Sequence, residues 1–175
     1  MSPDEARTLI THASLSEGEP QVWADLGCGD GTFTIALAAL LPAKSTVHAI
    51  DQDARSLRRI PARHGGVAIV THAGDFTEFP WPFDGLDGVL MANSLHYVRA
   101  QAPFLRSVDA ALRRRRVLLV EYDMTRANRW VPYPVDRKAA VDLFRSLGYT
   151  DTKLGRTPSA FGRGDIYALL MTAGD

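Results

Sequence analysis

The sequence predicts an α/β fold: an open, mostly parallel sheet with helices on both faces. Three observations carry that reading. Short apolar runs alternate with helical patterns along most of the chain, the order that builds parallel sheets. The run from Val22 to Leu26 passes directly into a loop with glycine at every second position, Gly27, Gly29 and Gly31. A helical pattern follows at once, with Phe33, Ala36, Leu37, Leu40 and Leu41 on one face and Pro42 as the stop. The last two apolar runs, Tyr149–Leu154 and Ile166–Thr172, alternate loosely. Gly155 to Gly164 joins them, longer than a tight hairpin, and they form an antiparallel closing pair.

The other elements follow in order. Ser2, Pro3 and Glu5 open a helix with a capping box and a first-turn proline; it fades by Ser14, and residues 1–20 read as a short cap helix and loop within a single domain, 1–175. Thr46–Asp51 is the second strand, after which Asp53 caps a short helix that Pro61 ends. Gly65 and Gly66 turn into the third strand, Val67–Thr71. Residues 78–88, with Pro80, Pro82 and Gly85, form a rigid connector in which Trp81 and Phe83 pack. Leu86–Asn93 is apolar enough for a central strand covered on both faces. Phe104, Leu105, Val108 and Leu112 are the buried face of the next helix, and Val117–Glu121 is the fifth strand. Ala140, Leu143, Phe144 and Leu147 mark a last helix, stopped by Gly148.

Composition excludes several classes. Twenty cations balance twenty anions, which argues against a dedicated nucleic-acid binder. Arg113–Arg116 invites an RNA reading, but a solvated helix C-terminus explains it better, since cations favour that end of the dipole. The one cysteine, Cys28, rules out an internal disulfide and leaves a reducing cytoplasm as the expected compartment. No apolar run approaches the length of a membrane span, and the acidic N-terminus lacks the pattern of a signal peptide. The five histidines are scattered without paired spacing, so no metal set is expected. Nothing in the sequence sets an oligomeric state.

The glycine loop narrows the ligand. A dinucleotide loop needs Gly-x-Gly-x-x-Gly, but here the third glycine comes one position early and Thr32 takes its place. A Walker loop needs a Gly-Lys pair that is missing. A nucleoside with a cationic, amino-acid-like tail suits the residues better. Asp25 at the first strand's end can face an ammonium, and Asp51 at the second can take both ribose hydroxyls. Asp75 can accept from an adenine amino group, with Phe76 beside the ring. Cys28 reads as a small residue packed under the ligand, and Gln52 is counted with Asp51.

On Asp-Leu-Gly-Cys-Gly-Asp-Gly-Thr at 25–32, Ala-Ile-Asp at 49–51, Gly-Asp-Phe at 74–76 and Ala-Asn-Ser-Leu-His-Tyr at 92–97, the chain resembles class I S-adenosylmethionine-dependent methyltransferases. The likeness runs from Gln21 to Glu121. It implies a single-domain Rossmann-like methyltransferase fold of seven strands in the order 3-2-1-4-5-7-6, with S-adenosyl-L-methionine as cofactor. It also implies Asp25, Gly27 and Gly29 at the methionine end, Asp51 at the ribose, and Asp75 with Phe76 at the adenine. It does not name the acceptor.

Asp25, Asp51, Asn93 and Glu121 fall along the rim where ligands bind such sheets, although Asn93 serves equally well as a turn cap. A base is needed only for an acceptor that starts protonated, and His96 is the best placed. The competing reading makes it a wall or helix-start residue. Glu121 and Tyr122 are lesser choices. The substrate is expected under Asp123–Tyr133 and Arg156–Phe161, where Arg126, Arg129 and Arg156 can meet an anion and Trp130 or Tyr133 can stack. Tyr122, Arg129, Trp130 and Tyr133 are the substrate-binding set. A small-molecule acceptor suits so modest a cap. A domain that binds the cofactor without transferring a methyl group and a nicotinamide-dependent reductase are the competing functions, the second disfavoured by the glycine spacing.

Overall fold

The protein is described from a computed structural model, which covers residues 1–159 and 164–174. Its elements run α1 (Pro3–Ile10), α2 (Ala13–Ser16), β1 (Val22–Leu26), α3 (Thr32–Ala38), β2 (Thr46–Asp51), α4 (Ala54–Leu57), β3 (Arg63–His64), β4 (Val67–Ala73), β5 (Gly88–Ala92), α5 (Gln101–Ala111), β6 (Arg116–Tyr122), α6 (Arg137–Ser146), β7 (Thr150–Pro158) and β8 (Asp165–Thr172). A single 3-10 turn, Leu95–Tyr97, follows β5.

The start signals act as expected. Ser2 accepts from the Glu5 amide while the Glu5 carboxylate accepts from the Ser2 amide, and Asp53 caps α4 through the Arg55 amide. The first helix stops at Ile10, and His12 caps a separate short α2.

One eight-stranded sheet runs β3-β4-β2-β1-β5-β6-β8-β7. Strands β4, β2, β1, β5 and β6 are parallel, and β8 pairs antiparallel with both β6 and β7. Seven strands were expected. The eighth is β3, two residues folded back on β4 across Gly65 and Gly66, too short to show any period. Without it the order is the anticipated one. Helices α1 and α3 bury one sheet face with Ile10, Phe33 and Leu37, while α5 and α6 bury the other with Phe104, Val108 and Phe144. The closing strands run to Pro158 and from Asp165, leaving a shorter connection than the sequence suggests.

Trp23 shows why β1 and β5 can lie side by side. Its indole is fully buried against Gly88, where any Cβ would come within 2.5 Å of the ring. Trp81 packs as expected, buried, with its indole N–H donating to the Phe76 carbonyl at 2.9 Å.

The arginine run corrects one expectation. Helix α5 ends at Ala111, so these side chains lie past it; Arg113 and Arg114 stay more than half exposed, as expected, but the run also ties the fold together through its partners. Arg113 reaches both oxygens of the buried Asp87 at 2.7 and 2.8 Å, Arg115 holds Asp109 at 2.7 Å, and Arg116 covers the Trp23 ring at 5.1 Å. Asp87 also accepts from the Val22 amide at 2.8 Å. We expect Asp87→Ala to leave that amide and Arg113 without a partner and to cost about 2 kcal/mol in urea unfolding, against under about 1 kcal/mol for Arg114→Ala, whose ion pair is half-exposed.

Candidate functional site

Two neighbouring regions at the C-terminal ends of the parallel strands make up the site. The first is the glycine loop. The Ile50 carbonyl accepts from the amides of Gly27 and Cys28, at 2.9 and 3.1 Å, which folds the loop over the end of β2. Asp51 continues the link: its carboxylate accepts from the Gly29 amide and from the Asp53 amide, both at 2.8 Å.

The glycines differ in what they do. A Cβ on Gly27 would lie 2.7 Å from the Ser94 Cβ and 3.2 Å from the Phe76 ring, so this glycine serves packing inside the protein. A Cβ on Gly29 would meet nothing within 4 Å, and its φ is +54°. Gly29 therefore leaves bare main chain beside open space. Cys28 is buried, and desolvation pushes its thiol far above the usual range, which disfavours the thiolate that a nucleophile needs.

Asp25 is fully buried. One oxygen accepts from the Thr34 hydroxyl at 2.6 Å; the other, Oδ1, has no partner among the described residues. Burial, opposed by the Thr34 bond and helped by the charge of Asp51, pushes its pKa up to about 7. Asn93 Oδ1 and Ser94 Oγ, just after β5, are likewise buried and unpartnered among the described residues. Asn93 also holds φ at +55°, a conformation unfavourable for most side chains. Orphaned buried polar atoms are rare in finished folds, and three at adjoining strand ends mark a place for a polar ligand.

The remaining expected cofactor residues are less committed. Asp75 spends one oxygen on the Thr77 amide and hydroxyl, at 2.8 and 2.7 Å, as a turn cap. Phe76 is buried under the glycine loop and packs edge-on to Phe104, with little ring surface exposed. Gln52 is exposed at the end of β2.

The second region is a cavity of about 750 Å³ lined by Asn93, His96, Tyr122, Arg129, Trp130 and four further residues considered below, together with Ser159. It brings together five residues chosen from the sequence: Asn93, His96, Tyr122, Arg129 and Trp130. His96 is buried, and its Nδ1 lies 2.7 Å from Glu121 Oε2. The other Glu121 oxygen accepts from the His96 amide at 3.1 Å. Burial and the nearby Glu121 charge raise the pKa of Tyr122, which keeps its phenol protonated. Trp130 is 70% exposed, held out by a turn in which Asn128 Oδ1 accepts from the Trp130 and Val131 amides at 2.8 and 2.9 Å.

Other expectations need correction. Tyr133 does not line the cavity; its amide donates to the His96 carbonyl at 3.0 Å and its carbonyl accepts from Gln101 at 2.9 Å, so its backbone straps the wall. Arg156 is consumed by Asp123 and Asp165, at 3.1 and 2.6 Å, and does not await an anion. Phe161 lies outside the described residues. His48 and His72 are paired after all: neighbouring strands β2 and β4 bring their ring nitrogens to 2.9 Å, with Phe83 stacked on His48. Among the described residues no group of three ligating side chains gathers there or elsewhere. Tyr97, Met124, Asn128 and Val131 also line the cavity and were missed: Tyr97 ends a single 3-10 turn and the other three lie in an irregular segment, neither of which carries a period that assigns a face.

Comparisons with known proteins identify the family. A family model described as a methyltransferase domain matches residues 24–115. The chain belongs to the class I S-adenosylmethionine-dependent methyltransferase family and is an enzyme of that class. No curated protein matches it.

Among solved structures, it resembles the 1,6-didemethyltoxoflavin N1-methyltransferase of Burkholderia thailandensis, with bound 1,6-didemethyltoxoflavin and S-adenosylhomocysteine, at 21% identity and a TM-score of 0.75 over 99% of this chain and 78% of that one. The magnesium protoporphyrin IX methyltransferase of Synechocystis, with bound SAM, matches at 16% identity and a TM-score of 0.67 over 89% and 71%. A SAM-dependent methyltransferase from Aquifex aeolicus matches at 14% and 0.62 over 99% and 100%.

The raised Asp25 pKa has a measurable consequence. An unfolded aspartate ionises near 3.8, but the folded one holds its proton to about 7. The folded state therefore binds more protons between those values, and its stability falls as pH rises through that window. We expect urea unfolding of the ligand-free protein to show this decline between pH 4 and about 7, with a flatter profile for Asp25→Asn. An identical slope in the variant would remove Asp25 as its source.

Proposed function

We propose that the glycine-loop region holds S-adenosylmethionine and that the adjoining cavity takes a small-molecule acceptor. The carrying observation is the bare main chain at Gly29, tied by its amide to the Asp51 carboxylate and set beside three unpartnered buried polar atoms. The residues present suit such a ligand. Asp25 Oδ1, Asn93 Oδ1 and Ser94 Oγ can receive the donors of an ammonium group, and Asp51 can take sugar hydroxyls. Asp75 and Phe76 would border the base, with Gln52 beside Asp51. The bound donor supplies an already activated methyl group; this chain supplies alignment and a closed approach.

Asn93 borders both regions: it lines the cavity, and its buried Oδ1 has no partner among the described residues. That supports a transfer point near Asn93 and His96, with His96 as the base when the acceptor starts protonated. Tyr122, Arg129 and Trp130 would contact the acceptor. That the Burkholderia and Synechocystis structures are a 1,6-didemethyltoxoflavin N1-methyltransferase and a magnesium protoporphyrin IX methyltransferase supports a small-molecule acceptor here as well. No helix among the described residues is long and apolar enough to cross a membrane, and we place the enzyme in the cytoplasm on that and its lone cysteine.

Two substitutions test the donor site by calorimetry with S-adenosylhomocysteine. Asp51→Ala should weaken binding by about 2 kcal/mol, the loss of hydrogen bonds to a charged group. Gly29→Val should abolish it, since the branched side chain fills the open approach. Wild-type affinity in either folded variant would contradict the assignment.

A further inference from the structure

Resting on that donor site, we propose that the acceptor is a planar aromatic compound carrying an acidic hydroxyl or ring N–H, deprotonated by His96 Nε2, with Glu121 as the positioning residue that fixes the base.

The tautomer follows from the partner. An ionised carboxylate only accepts, so a bond between His96 Nδ1 and Glu121 at 2.7 Å puts a hydrogen on Nδ1, and in the neutral ring Nε2 then keeps its lone pair. Nε2 has no protein hydrogen bond among the described residues, although the ring is buried and forms part of the cavity wall. Glu121 is held in turn by the His96 amide at 3.1 Å, which locks the two groups from β6 and the turn after β5 into one unit. An imidazole that lines the cavity, with Nδ1 anchored to a buried carboxylate and Nε2 free of protein hydrogen bonds among the described residues, can receive a proton.

The rest of the cavity specifies the proton's source. Tyr97 and Trp130 stand on its lining with 56% and 70% of their surface exposed, an unusual cost for aromatic rings unless a flat partner covers them. Arg129 lies 5.5 Å from the Trp130 ring centre and has no carboxylate partner among the described residues. It can balance the negative charge that spreads over an aromatic system as the proton leaves.

The transfer balances. The acceptor's O–H or N–H bond breaks and its proton goes to His96 Nε2, giving an imidazolium paired with Glu121. The electron pair left on the acceptor forms the new bond to the methyl carbon, and the carbon–sulfur pair stays on sulfur, leaving a neutral thioether.

The test uses radiolabelled S-adenosylmethionine with a phenol series of graded acidity, from 4-methoxyphenol to 4-nitrophenol, and with lumazine as a ring N–H acceptor. Transfer to members of this set is expected from the wild type. His96→Asn should lower kcat about 100-fold for the least acidic phenol and far less for 4-nitrophenol, with S-adenosylhomocysteine affinity unchanged. Glu121→Gln should follow the same gradient with a smaller loss. A loss equal across the series would mean a structural role and overturn the proposal, as would transfer to none of the set by protein that binds S-adenosylhomocysteine. Protein that fails to bind S-adenosylhomocysteine would instead refute the donor site. Should either variant misfold, nitrogen NMR of wild-type protein labelled at histidine decides: hydrogen on His96 Nδ1 is expected, and hydrogen on Nε2 alone contradicts the base assignment.

Discussion

The Ile50 carbonyl is the point on which the site depends. By accepting from two successive loop amides, it fastens the turn after β1 to the end of β2. The chain can make that turn only with glycine, because Gly27 lies so close to Ser94 and Phe76 that a side chain has no room. Once the turn is fixed, the Gly29 amide points at Asp51 and the next stretch of main chain is left uncovered. Thus two strand ends, one carbonyl and one carboxylate together create a concave edge at the place where parallel sheets offer their ligand crevice.

The polar burial around that edge runs against stability. Asp25, Asn93 and Ser94 each keep a buried oxygen without a partner among the described residues, and Asn93 adopts a left-handed backbone besides. A sequence selected for stability alone would place apolar residues there. Their persistence is the kind of strain that functional sites retain while the rest of the fold offsets it. The offset is visible on both sides of the sheet, in two continuous apolar layers against α1 and α3 and against α5 and α6.

Most of the fold was legible because its signals are local and periodic. The capping box at Ser2, the alternating glycines and the apolar central strands each dictate their own conformation, and the sheet order followed once the resemblance was drawn. What escaped was set by contacts between distant segments. β3 is too short to carry a pattern. The arginines after α5 show no partners along the chain; Asp87 and Trp23 are brought to them from the first part of the sheet. The site divides in the same way. Asp25, Asp51, Asn93 and Glu121 lie at strand ends, and strand ends can be counted along the chain. Which face Tyr133 shows depends on an irregular segment folding over the cavity, Tyr97 sits in a 3-10 turn too short to show a period, and the His48–His72 pair exists only because β2 and β4 are neighbours.

A crystal structure with S-adenosylhomocysteine tests the central claim most directly. The nucleoside should lie against the Gly29 main chain with its sugar hydroxyls on Asp51, its amino group among Asp25, Asn93 and Ser94, and its sulfur turned toward the cavity that His96 lines. A ligand bound elsewhere, or with its sulfur directed away from that cavity, would contradict it.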